Sequence, residues 1–165
     1  MPVLRAVVLA IGTIWLTADA LAAGPADDRA QAAICRKMLD VMAAGRAEEA
    51  ADIMLLQGQP FKADASRESA SNLETMRGVF RRAYEGLVRQ NGGGPVKGRE
   101  RLPDQKEGQR IVVTERWTFD EGHKPYAGCV RFPHKSGSWM TDVQFGREHA
   151  GITGKLRASA RGEQR

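Results

Sequence analysis

Residues 110–119 read RIVVTERWTF, residues 126–132 read YAGCVRF and residues 139–145 read WMTDVQF. In each stretch, aromatic and branched apolar side chains recur at every second position, which is the period of a β-strand. Turn-forming residues separate the stretches, so the pattern predicts two successive hairpins. A shorter charged segment at 96–102 predicts a fourth strand at the sheet edge, where lysine and arginine discourage aggregation.

Closing both hairpins symmetrically places every large ring on one face of the sheet. In that register Trp117 lies opposite Gly128, and Tyr126 lies opposite Phe145. Glu115 is then the one charged residue within the apolar rows. Because a slip of one residue would turn the side chains to the other face, we expect this register.

The residues before the strands follow a helical period instead. Apolar spacing predicts a first helix that begins near Asp28 and ends at Gly45. An Ala- and Glu-rich segment predicts a second helix over 47–56, and a capping box at Ser71 predicts a third, which stops at the glycine run 92–94. The expected fold class is α+β, with three N-terminal helices packed on a curved four-stranded antiparallel sheet in a cone-like arrangement.

Residues 1–22 have the features of a secretory signal peptide: Arg5, an apolar run, and the small-residue triplet at 20–22. We expect cleavage after this triplet, a linker over 23–26 and a single α+β domain over 27–146. The mature protein is expected to be periplasmic or secreted and to keep no integral membrane segment after cleavage.

The positive charge is concentrated at the C-terminal end. The chain has a formal net charge of +5, and residues 147–165 hold five Lys and Arg residues against two Glu residues. Ile152 and Leu156 are the only larger apolar residues in this segment, which predicts a basic, disordered tail. The rest of the mature chain is close to charge balance, so we expect no nucleic-acid partner.

The element order resembles that of the nuclear transport factor 2-like, or cystatin-like, superfamily, in which helices precede a curved antiparallel sheet that wraps around them. The resemblance covers roughly residues 27–146, includes the AGRAEEAA break at 44–51, and is nearest to small exported members. The residues of the closing hairpins that match are Trp117, Phe119, Phe132, Gly137, Trp139, Val143 and Phe145. The resemblance implies a cone between helices and sheet, where the superfamily's ketosteroid isomerases and dehydratases place acid and base residues. No catalytic motif of those enzymes is present.

Glu115 is the candidate general base for a cone-type isomerase or dehydratase. In the competing interpretation, Glu115 lies at the open mouth or pairs with an arginine. Thr141, Tyr126, Tyr84 and Trp117 complete the candidate ligand pocket. The favoured function is a non-enzymatic exported domain that binds a small apolar or amphipathic ligand, or a protein partner, and a structural or assembly role is the remaining alternative.

A protein partner would use the outer face of the sheet. In the expected register this face carries a mixed polar set that is compatible with a homodimer, namely Arg116, Cys129, Arg131, Asp142 and Gln144.

Cys35 and Cys129 leave two alternatives open. In an oxidising compartment a bridge from the first helix to the sheet would close a long loop, whereas the expected register points Cys129 away from the helices. His123 and His134 lie at opposite ends of one strand and His149 lies in the tail, so we expect no metal site. No cofactor motif is present.

Overall fold

The computed structural model describes residues 25–56, 67–120, 122–133 and 139–162. The expected signal peptide lies outside these residues. The elements in chain order are α1 (Pro25–Ala43), α2 (Glu49–Leu56), α3 (Arg67–Gln90), β1 (Gly98–Arg101), β2 (Gln105–Glu107), β3 (Arg110–Thr118), β4 (Tyr126–Pro133), β5 (Trp139–Gly146) and α4 (His149–Gly162).

The helix boundaries differ from the sequence analysis at their starts. Helix α1 begins at Pro25, upstream of Asp28, because proline's fixed φ suits the first helical position. It ends just before Gly45, whose φ of 78° is the left-handed conformation that closes many helices. Helix α3 begins at Arg67, so the capping box at Ser71 lies inside the helix and does not open it.

The sheet is antiparallel, with strand order β1-β3-β4-β5, and β2 pairs with β3 beside β1. The expectation of an α+β protein with an antiparallel sheet is confirmed, and β1 lies at an edge as expected. Strand β2 was missed because it is only three residues long. It joins β3 through a tight turn in which Gly108 has a φ of 62°.

The expected register of both hairpins is wrong. Trp117 does not lie opposite Gly128, since Thr114 takes that place, and Tyr126 lies opposite Arg116 and Gly146. In the first hairpin the register is shifted by three residues from the symmetric one, because backbone pairing continues beyond the end of β3 and leaves a shorter turn. The Phe119 N–H already donates to the His123 carbonyl at 3.0 Å.

The central strands β3 and β4 are buried on both faces, which explains why alternation predicted the wrong register. Every interior residue of β4 is buried, so the strand does not alternate between core and solvent. One face, with Val113 and Trp117, packs on α1, while Val112 and Val130 lie in a second apolar cluster on the opposite face. The alternation of apolar and polar side chains selects a register only where one face of the sheet is exposed to solvent.

Helix α4 covers that second face, and the expectation of a disordered tail is wrong for residues 149–162. Ile152 and Leu156, four residues apart, are both buried against the second cluster. A Cβ at Gly128 would lie 2.5 Å from Ile152 Cγ2, so glycine is what allows α4 to approach β4 this closely. Gly128 is therefore covered by Ile152 and Leu156 of α4.

On the first face, α1 packs on β3 and β4, α2 packs on α1, and α3 packs on α2. Cys35 of α1 and Cys129 of β4 form a disulfide with a Cα–Cα distance of 5.5 Å. The expected register had pointed Cys129 away from the helices. The observed register points it toward α1, so the bridge can form. The bridge fastens α1 to the centre of the sheet.

Candidate functional site

A groove with a volume of about 300 Å³ runs between the C-terminal half of α3 and the end of β5. Gly86 and Leu87 of α3 form one wall, and Phe145 and Pro125 contribute apolar surface from the sheet side. The polar lining residues are Arg82, Gln90, Asn91 and Arg147. The groove therefore combines an apolar floor with a polar rim, as ligand sites do.

The floor of the groove is held by the main core. Leu87 is buried, and Phe145 packs on the same cluster with its ring 5.6 Å from that of Trp117. Helix α3 presents Leu87 inward because its apolar side chains recur at helical spacing. Gly86 next to it leaves the wall open, since no atom of another described element lies within 4 Å of the position that a Cβ would take.

The end of α3 is fixed by its own cap. The Asn91 side-chain amide donates to the Leu87 carbonyl at 2.7 Å, and the Gly93 N–H donates to the Val88 carbonyl at 2.9 Å. Gly93 has a φ of 80°, which a residue with a Cβ would adopt only with strain. The residues at this end of the groove are thus held in place by backbone geometry.

Glu115, the candidate general base, lies in an ion-pair cluster. It is 1% exposed, and Arg99 donates to both of its carboxylate oxygens, at 2.7 and 2.9 Å. Arg101 approaches at 3.3 Å and the Trp117 indole N–H donates at 3.0 Å. Arg99 also pairs with Asp40 of α1 at 2.6 Å, so the cluster links the sheet edge to the first helix.

This geometry follows from the register of β1. Arg99 lies opposite Trp117 and Arg101 opposite Glu115, so both arginines share the face on which Glu115 is buried. On the other side of β3, Glu115 has Ala127 of β4 opposite it. The carboxylate is occupied by two cations and an indole, and Glu115 is not among the residues that line the groove.

The five residues of the expected pocket are not brought together. Glu115 and Trp117 are neighbours, but Tyr126 is on the opposite face, where its ring lies 5.5 Å from that of His149. Tyr84 lies beside Gly45, and burial raises the pKa of its hydroxyl. Thr141 accepts a hydrogen bond from Arg131.

Arg131 is a buried cation that the sequence analysis placed on the outer face. It is 0% exposed and lies on the α1 side of the sheet, where it donates to Gln31 at 2.9 Å and to Thr141 at 2.6 Å. Within the described ranges no carboxylate forms an ion pair with it. Desolvation lowers the pKa of its guanidinium to about 10.

The residues expected to form a polar outer face for a homodimer do not share one solvent-exposed face. Cys129 and Arg131 point to the α1 side, and α4 packs over the other side of β4 and β5. This prediction failed for the same reason as the register, because it assumed that one face of the sheet is buried and the other is exposed to solvent. Asp142 and Gln144 lie on the α4 side and are hydrogen-bonded to each other at 3.1 Å.

Among the described residues, no group of three or more His, Cys, Asp or Glu side chains is arranged to hold a metal ion. None of the helices in this part of the chain is both long and apolar enough to cross a membrane. Comparisons with protein-family models, with curated proteins and with solved structures found no match.

The groove was not predicted from the sequence. Phe145 was expected on the apolar face of the sheet, and Arg147 was expected in a disordered tail. Gly86 could have indicated the groove from the sequence. A glycine inside a strongly predicted helix, beside a buried leucine, leaves space where a side chain would be and does not end the helix.

Proposed function

We propose that the protein is an exported, non-enzymatic domain that binds a small amphipathic ligand in the groove between α3 and β5. The observation that carries this proposal is the groove itself, with a volume of about 300 Å³, an apolar floor at Leu87 and Phe145, and a polar rim. Small-ligand sites begin at about this size and combine apolar lining residues with polar groups that orient the ligand.

Export is supported by the disulfide between Cys35 and Cys129 together with the signal-like residues 1–22. Structural disulfides form and persist in oxidising compartments and are rare in the cytosol. Membership in the nuclear transport factor 2-like superfamily stays a proposal that rests on element order. Helix α4 on the second face of the sheet is a departure from the helices-then-sheet order of that superfamily.

The alternative of an isomerase or dehydratase is less well supported. A general base must reach a substrate proton, whereas Glu115 is enclosed by Arg99, Arg101 and the Trp117 indole. The carboxylate would have to leave these partners before it could accept a proton.

The test is a titration with N-phenyl-1-naphthylamine, an uncharged probe whose fluorescence rises in apolar sites. We expect one saturable site, with energy transfer from Trp117 because its ring lies against Phe145. Native mass spectrometry of the purified protein would show a retained ligand directly.

The matched variants are Gly86→Leu and Gly154→Leu. Both glycines are helical and both have free space where a Cβ would be, but only Gly86 lines the groove. We expect Gly86→Leu to weaken probe binding more than about tenfold, that is by more than about 1.4 kcal/mol, and Gly154→Leu to leave it unchanged. Equal binding by both variants would refute the proposal.

A further inference from the structure

We infer that the ligand of this groove is an anion, whose charged group is bound by Arg147 and Lys124 while its apolar body lies on Leu87 and Phe145. This inference rests on the proposed function and adds the chemical class of the ligand. It is carried by a second cavity and by the charges around both.

The second cavity, of about 360 Å³, adjoins the groove. The two share four lining residues, and the second adds the turn at 122–124. The shared residues are Gln90, Asn91, Pro125 and Arg147. Together they form one site with an apolar half at Phe145 and a polar half at the turn, and Arg147 lies where the halves meet.

The charges of this site have one sign. Arg82, Lys124 and Arg147 line it, and no Asp or Glu is among its described lining residues. None of these three cations forms an ion pair with a described carboxylate. By contrast, two other arginines of α3 have carboxylate partners. Arg77 pairs with Asp52 at 2.8 Å, and Arg81 pairs with Glu48 at 2.7 Å.

The C-terminal end of a helix normally disfavours an anion, because its free carbonyls carry partial negative charge. Here two of the last carbonyls of α3 are already bonded. The Leu87 carbonyl accepts from the Asn91 side chain, and the Val88 carbonyl accepts from the Gly93 N–H. These hydrogen bonds reduce the partial negative charge at the end of α3, where the two cavities meet.

The ligand class that fits is a small amphiphile with a carboxylate, sulfonate or phosphate group. Arg147 and Lys124 would bind that group by charge-assisted hydrogen bonds, which are stronger than neutral ones. All three cations are exposed, so the electrostatic part of the affinity should fall as salt is added.

The test uses two probes with the same ring skeleton, the neutral N-phenyl-1-naphthylamine and the anionic 8-anilinonaphthalene-1-sulfonate. We expect Arg147→Gln to weaken binding of the sulfonate about tenfold, the loss of one charged hydrogen bond, and to leave binding of the neutral probe within about twofold. Arg89→Gln is the matched control and should change binding of neither probe, because Arg89 is an exposed arginine of α3 outside the walls of both cavities. Competition by dodecanoate and by dodecyl phosphate then separates a carboxylate head from a phosphate head.

The outcomes separate the two proposals. If the neutral probe binds but the sulfonate is insensitive to Arg147→Gln and to salt, the anion inference is overturned and the groove stands. If neither probe binds the wild-type protein, the groove proposal fails and the anion inference fails with it. Loss of both probes in Arg147→Gln, with unchanged circular dichroism, also overturns the inference, because the arginine would then act by shape and not by charge.

Discussion

The disulfide between Cys35 and Cys129 gives the most quantitative test of the fold. It joins α1 to β4 across a sequence separation of 94 residues, and both cysteines are fully buried. A cross-link restricts the unfolded chain, and for a loop of this length the chain-entropy expression gives about 4.7 kcal/mol at 25 °C. Single domains are stable by only about 5–15 kcal/mol, so the bridge supplies a large part of the stability.

The perturbation is the double variant Cys35→Ala/Cys129→Ala, compared with the oxidised wild-type protein by urea unfolding. We expect the free energy of unfolding to fall by about 3–5 kcal/mol and Tm to fall by roughly 10–20 °C. The slope of the free energy against urea concentration should increase, because an unfolded chain without the cross-link exposes more surface.

Reduced wild-type protein is the control, since it keeps both thiols and lacks only the bond. Its difference from the double variant measures packing alone. Two results would refute the reasoning: oxidised and reduced protein that unfold at the same urea concentration, or two reactive thiols counted in denatured protein that was never reduced.

Three further substitutions test the packing of α4, the role of Glu115 and the surface ion pairs. Gly128→Ala should cost about 1–3 kcal/mol and reduce amide-exchange protection in α4, because the new methyl group would collide with Ile152. Glu115→Gln should lower the unfolding free energy by about 2–3 kcal/mol, because Arg99 loses a buried partner but keeps an exposed one, and should leave probe binding in the groove unchanged. Arg81→Ala should change stability by less than about 1 kcal/mol, since its ion pair is half-exposed.

Each of these predictions has a result that contradicts it. Gly154→Ala in α4 meets open space and should stabilise the helix by up to about 1 kcal/mol, so equal losses from Gly154→Ala and Gly128→Ala would contradict the close approach of α4. A Glu115→Gln variant that is as stable as the wild type but loses probe binding would move Glu115 from a structural role to the ligand site. A loss above about 2 kcal/mol in Arg81→Ala would mean that the α2–α3 contact depends on that pair.

Local pattern was sufficient for most of the elements. The alternation in RIVVTERWTF, YAGCVRF and WMTDVQF placed β3, β4 and β5 within a residue of their observed limits, because a strand with an apolar row shows its period in the sequence itself. The glycines at 45 and 92–94 marked the ends of α1 and α3 for an equally local reason, since a left-handed backbone conformation favours glycine.

The candidate site depended on contacts that no local pattern contains. Leu87 and Phe145 are more than fifty residues apart in the sequence, and Gly86 leaves open the wall of the groove between their elements. Glu115 was singled out correctly as the charged residue in an apolar row. Its partners Arg99 and Arg101 could have been found only from the register of β1 against β3.

The amino-acid sequence by itself determined that this chain forms an antiparallel sheet preceded by helices, because periodicity and turn chemistry act over a few residues. Only the tertiary structure decided which side of the sheet each side chain occupies. Helix α4 buries the second face, and a strand buried on both faces satisfies either register equally well by hydrophobicity. The shorter β3–β4 loop then selected the register that joins Cys129 to Cys35, places Arg131 in the interior and leaves the groove beside Phe145 open.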